Sequence, residues 1–134
     1  MKCAGSLDAN VILRLVVGDV PAHTKVAEKL IVEARGVFMV SELALVEIEY
    51  ALRKHYGLRR GQVAEMIAGI INHPKVEARQ HLIAQALEQY LKYPKLSFVD
   101  CCLVATAEMD QGLPLWTFDH KLATQAKELT KLLS

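Results

Sequence analysis

Four acids stand apart from the other carboxylates of this 134-residue chain: Asp8, Glu47, Asp100 and Asp119. Asp8 and Asp119 each follow a short strand-like run and precede a helical pattern. That places them at strand ends, where open α/β sheets bind their ligands. Asp100 falls in the first turn of a helix begun by Ser97. Glu47 has Leu43, Ala44, Tyr50 and Ala51 at helical spacing, so it is expected to face the core side of its helix. An unpartnered charge is expensive there, and such a Glu wants a cation. Glu49 has Arg53 four residues on and is expected to form a solvated surface pair. Each of the three aspartates also has an ordinary structural use. Asp8 and Asp119 suit helix N-caps, and Ser97 with Asp100 is a variant of the capping box. Local structure explains Glu47 least.

If their strands are neighbours, the four acids converge on one cleft. Carboxylates that close raise one another's pKa, and a hard divalent cation resolves the repulsion. Oxygen-only ligation favours Mg²⁺ or Mn²⁺. Such an ion activates water and neutralises charge building on a phosphodiester. Thr117, two residues before Asp119, is placed to orient a ligand by hydrogen bonding.

The elements that must position these acids alternate short apolar runs with longer helical patterns. This is the signature of an α/β fold around a mostly parallel sheet. A first strand is expected over residues 3–7, weak because Ala4, Gly5 and Ser6 are small, and a helix over 11–17 ended by Gly18. Pro21 opens a helix to about residue 34, and 37–40 is a strand apolar throughout and expected to be covered on both faces. Ser41 caps a helix over 42–55, Gly57 stops it, and another spans 61–71. Residues 75–78 suit a third, edge strand, 80–91 and 98–110 are helices, and 113–118 is a fourth strand. A last helix starts near His120, and the tail 128–133 is ambiguous between helix and a fifth edge strand.

Bulk properties exclude several classes. With 52% hydrophobic and 23% charged residues the chain is neither disordered nor fibrous, and its length suits a single domain over residues 1–134. A net charge of +1 supplies no long-range field, so any nucleic-acid contact must come from a local patch or a bound metal. Three cysteines, two of them adjacent, make a poor disulfide framework, and five scattered histidines lack zinc spacing. The start shows no signal-peptide pattern, and the apolar run 11–17 is short and holds Arg14, so no membrane span and a cytoplasmic protein are expected.

The four acids lie in four segments that resemble the motifs of PIN-domain nucleases, in order and spacing. Ser6-Leu7-Asp8-Ala9-Asn10-Val11-Ile12-Leu13 resembles the first, and Leu45-Val46-Glu47-Ile48-Glu49-Tyr50-Ala51-Leu52-Arg53 the second. Phe98-Val99-Asp100 with Ala105-Thr106-Ala107 resembles the third, and Leu115-Trp116-Thr117-Phe118-Asp119-His120-Lys121-Leu122 the fourth. The subgroup resembled is the VapC-type toxins of prokaryotic toxin–antitoxin pairs. The resemblance implies a three-layer α/β/α sandwich with a mostly parallel sheet of four or five strands. It also implies Mg²⁺- or Mn²⁺-dependent RNA cleavage, homodimerisation and a small antitoxin partner that blocks the site. Ala9 departs from the family, where a hydroxyl residue is common, and Asn10 is a polar substitute beside the metal ligands.

On this reading Asp8, Glu47 and Asp100 hold one metal, and Asp119 completes the site or helps a second ion bind. The substrate is single-stranded or looped RNA. Arg14, Arg53, Lys54, Arg59, Arg60 and Lys121 are candidates for backbone contact. The apolar surfaces of 11–17 and 26–32 are expected to pack mainly in the core, with dimer or antitoxin contact as the other use. The rival reading is a non-catalytic RNA-binding or protein-interaction module on the same fold, against which the presence of all four acids argues.

Overall fold

The computed structural model describes residues 2–133. Its contacts cluster into two units, Met1–Gln80 and His81–Ser134.

In the first unit, β1 (Cys3–Ser6), β2 (Val37–Met39) and β3 (Val76–Glu77) form a sheet in the order β1-β2-β3. Both pairings are parallel, with Ser6 opposite Met39 and Phe38 opposite Val76. The central strand is buried at Val37 and Phe38, and Val40 just beyond it is buried too. Met39 remains 51% exposed, so the strand is not covered on both faces as its apolar run suggests. Gly36 leads into β2 where the backbone passes so close to Lys2 that a Cβ would sit 1.9 Å from the Lys2 carbonyl oxygen. Any side chain there would push β1 away, and Lys2 could no longer accept from the Val37 amide.

Four helices complete this unit: α1 (Ala9–Val17), α2 (Pro21–Glu33), α3 (Glu42–Lys54) and α4 (Arg60–Ile71). α1 ends at Gly18, whose φ of 70° is the left-handed turn that glycine adopts without penalty. Pro21 occupies the first turn of α2, where its missing N–H costs nothing. Ser41 caps α3 by accepting from the Ala44 amide at 3.2 Å. The core stripe of α3 is Leu45, Ile48 and Leu52, all fully buried, and α3 packs on α4, whose Val63 and Ile67 are fully buried too. Ile12 and Leu13 of α1 are buried as expected. On α2 only Ala27 is buried, while Val26 and Val32 are 71% and 78% exposed, so this helix turns apolar side chains outward rather than into the core.

The second unit holds α5 (Gln80–Lys92), α6 (Phe98–Met109), β4 (Leu115–Thr117), α7 (His120–Gln125) and β5 (Thr130–Leu132). β4 and β5 pair in parallel, with Thr117 opposite Leu132, which settles the tail as a strand. The core includes Tyr90 and Phe98, both buried, in edge-to-face contact at 5.5 Å between ring centres. Among the described residues all strand pairs are parallel and helices dominate, an α/β fold of the expected class. Among the described residues no helix is long and apolar enough to cross a membrane.

Candidate functional site

In the first unit Asp8 is the N-cap of α1, its carboxylate accepting from the Val11 amide at 3.0 Å. Leu7 and Ala9 on either side are buried, so the backbone is anchored while the Asp8 side chain stands in solvent. Because the sheet is parallel, β1 and β2 present their carboxyl ends at the same edge. Asp8 follows one of those ends and the Ser41 cap of α3 follows the other. Ala9 and Asn10, the two residues after Asp8, line a cleft of about 440 Å³ together with Leu13, Val46, Glu47, Tyr50, Ala51 and His55. Glu47 and Asn10 therefore share one cleft.

Glu47 is not on the core side of α3. It is exposed, and the buried acid is Glu49, 4% exposed. Of the four apolar neighbours that suggested an inward Glu47, the two large ones are outside, Leu43 78% exposed and Tyr50 52%, while Ala44 is buried and Ala51 half-buried. The true core stripe, Leu45-Ile48-Leu52, is rotated away from Glu47 and carries Glu49 along its margin. Glu49 tolerates this because Arg53 donates to its carboxylate at 2.7 Å, the expected partner in a more buried setting than expected. An exposed Glu47 at a cleft is a better candidate for a solvent-borne cation than a buried one, since no desolvation precedes binding.

In the second unit Ser97 caps α6, accepting from the Asp100 amide at 3.0 Å. This fills one half of the capping box. The Asp100 side chain is half-buried, between Val104, which is fully buried, and Leu103, which is 48% exposed. Asp119 is the N-cap of α7. Its Oδ1 accepts from both Lys121, at 2.9 Å, and Leu122, at 3.2 Å, and its own amide donates to Thr117 Oγ1 at 2.9 Å. Thr117 thus fixes the Asp119 backbone.

The structure sets each acid in a defined local frame, two in each unit. Within neither unit do three or more His, Cys, Asp or Glu side chains gather into a metal-binding group among the described residues. The four candidate acids offer only carboxylate oxygens, the donor chemistry that suits Mg²⁺ or Mn²⁺. The capping bonds of Asp8 and Asp119 run through Oδ1, which leaves Oδ2 of each to a ligand.

Sequence reasoning passed over Tyr50 and His55 as cleft residues. Their signal was spacing: Tyr50 lies three positions after Glu47 on α3, and His55 is the C-cap of that helix. Of the basic candidates, Arg14 donates to Asp19 at 2.8 Å and Arg53 to Glu49, so both are engaged in ion pairs. Asp19 also accepts from the Tyr56 hydroxyl at 2.8 Å. That hydrogen bond, with partial burial and the Asp19 charge, holds the Tyr56 phenol above the ordinary tyrosine range.

The PIN domain family model matches residues 6–128, which include all four acids, and the chain belongs to this family of nucleases. A solved structure to which it is similar is that of Mycobacterium tuberculosis VapC20, a sarcin-ricin loop cleaving toxin. The two are 20% identical over 92% of this chain and 94% of that one, with a TM-score of 0.41. Among curated proteins none matches.

Proposed function

We propose that residues 1–134 form a single nuclease domain that hydrolyses RNA phosphodiesters with Mg²⁺ or Mn²⁺. Its metal ligands are Asp8, Glu47, Asp100 and Asp119. The observation that supports this most is availability. Asp8, Glu47 and Asp119 are exposed, Asp100 is half-buried, and among the described residues none of the four is taken up in an ion pair. Glu49 and Asp19, by contrast, are committed to arginines. A bound divalent ion supplies activated water and neutralises charge on the phosphate. The chain's own part is to hold the carboxylates. Helix α1 and its cap fix Asp8, and α3 carries Glu47 to the cleft. Ser97 fixes the turn bearing Asp100, and Thr117 holds the backbone at Asp119. Asn10 lies where its amide can orient a ligand in the Glu47 cleft.

The toxin role, the homodimer and the antitoxin partner are what the motif resemblance implies, and a cytoplasmic setting is proposed with them. The outward apolar residues of α2, Val26, Leu30 and Val32, are the surface this reading gives to a protein partner. Cleavage of a labelled single-stranded oligoribonucleotide, assayed with Mn²⁺ and with excess chelator, tests the reading. Mn²⁺-dependent cleavage that Asp8→Asn abolishes is the expected result. Undiminished cleavage in chelator overturns it, and RNA binding without any cleavage favours the non-catalytic module.

A further inference from the structure

Glu49 is a buried acid that the proposed chemistry does not use, and its partner arrangement leads to the cleft. Glu49 holds the Arg53 guanidinium at 2.7 Å, and Arg53 in turn lies 5.8 Å from the centre of the Tyr50 ring. The Tyr50 ring also meets His55 edge-on at 5.9 Å, with the rings 82° apart. Both Tyr50 and His55 line the cleft that contains Glu47 and Asn10. A tyrosine ring 52% exposed, braced by an imidazole edge and a fixed cation, is held in place before any ligand arrives. Ordering it on binding therefore costs little.

We infer that Tyr50 is a stacking platform for a nucleobase of single-stranded RNA, the base beside the phosphate that Glu47 attends. In this arrangement Arg53 is a positioning residue for the ring and Glu49 fixes Arg53. The inference rests on the ribonuclease reading and names a substrate contact for that site. Unpaired bases stack on tyrosine faces and on guanidinium planes, with little regard to sequence. The cleft has the chemistry for it: an aromatic face, a neighbouring cation, and the Asn10 amide, able to donate to and accept from a base edge. Leu13, Val46 and Ala51 supply an apolar floor on which a base loses no hydrogen bonds.

The test uses the whole chain and a fluorescein-labelled mixed-sequence 12-mer oligoribonucleotide. Anisotropy in excess chelator reads binding, and cleavage with Mn²⁺ gives KM and kcat separately. Tyr50→Phe keeps the π face and should bind within about twofold of wild type. Tyr50→Leu keeps apolar bulk without the π face and should bind about tenfold more weakly, raising KM with kcat little changed. Glu49→Gln should raise KM by a smaller factor. Thermal melts show whether each variant is folded, and the Phe and Leu pair keeps the comparison sound if Glu49→Gln is not. Equal binding by the Leu and Phe variants overturns the inference, as does a wild type that does not bind the oligonucleotide. Tyr50-dependent binding with no cleavage by wild type leaves the stacking site standing and removes the nuclease reading. Cleavage with KM unchanged in Tyr50→Leu does the reverse.

Discussion

The two units carry their acids differently. In the first, Asp8 caps a nine-residue helix that starts between two buried residues, and Glu47 projects from the middle of a thirteen-residue helix whose other side is core. In the second, Asp119 caps a six-residue helix and spends one carboxylate oxygen on two amides, while Asp100 sits half-buried in the first turn of α6. The first unit thus offers a capping acid beside a cleft that holds a second, unrestrained carboxylate. In the second, Asp119 serves two amides at once, so its local fold asks more of it. Capping and ligation can share a side chain when they use different oxygens, and they can be separated by experiment.

Asparagine separates them, because it caps a helix as well as aspartate does but brings no charge. The largest effects are expected at Asp8→Asn, Glu47→Gln and Asp100→Asn. Each should lower Mn²⁺-dependent cleavage by more than the roughly 100-fold typical of losing a group behind a metal ligand. Unfolding free energies from urea titrations should stay within about 0.5 kcal/mol of wild type, as for other surface changes. Loss of activity accompanied by unfolding would assign Asp8 to the cap alone. Asp119→Asn should cost less, about tenfold in cleavage, because its Oδ1 serves two helix amides where that of Asp8 serves one. A larger loss than at Asp8 would reverse the comparison.

Stability provides the next contrast. Ile48→Ala in the α3 core should cost about 3 kcal/mol in urea unfolding, whereas Leu43→Ala, on the exposed side, should be nearly silent. Arg53→Met leaves Glu49 buried without its cation and should cost about 2 kcal/mol, discounted because the Arg53 side chain is one-third exposed. A neutral result at Arg53 would show that Glu49 is reached by water.

The smallest effect concerns pH. A phenol raised in the folded state adds stability that is complete below its unfolded pKa of about 10 and lost as pH rises through the folded value. Alkaline melts of wild type should fall above that pH more steeply than those of Tyr56→Phe, because only wild type loses the Asp19 bond.

The order of elements was legible because its punctuation is local. Gly18, Pro21, Ser41 and Ser97 act as read, each through one backbone group. The tail was not, because residues 130–132 become a strand only by pairing with β4, a tertiary event without a local signal. The orientation of α3 was misread because two stripes compete along it. One, Leu43-Glu47-Tyr50, is apolar by type yet solvent-facing. The other, Leu45-Ile48-Leu52, is wholly aliphatic and wins the core. Glu49 could be drawn inward only with its arginine, and an i,i+4 pair looks the same in a sequence whether exposed or buried. The motifs singled out the four acids, whereas the cleft that Glu47 shares with Tyr50 and His55 emerged only with the helix rotation.

The division of the chain into two units, with two acids in each, also bears on how such an enzyme comes into being. Proteins are made from the N-terminus, and units tend to fold as they emerge. The first unit closes only when residue 76 arrives to pair with β2 and Lys75 reaches back to the carbonyls of Ile31 and Ala34 at the end of α2. At that moment the nascent chain holds Asp8 and Glu47 and nothing of Asp100 or Asp119, which lie in the last 35 residues. On the proposed ligand set, the metal site is incomplete until residue 119 has emerged.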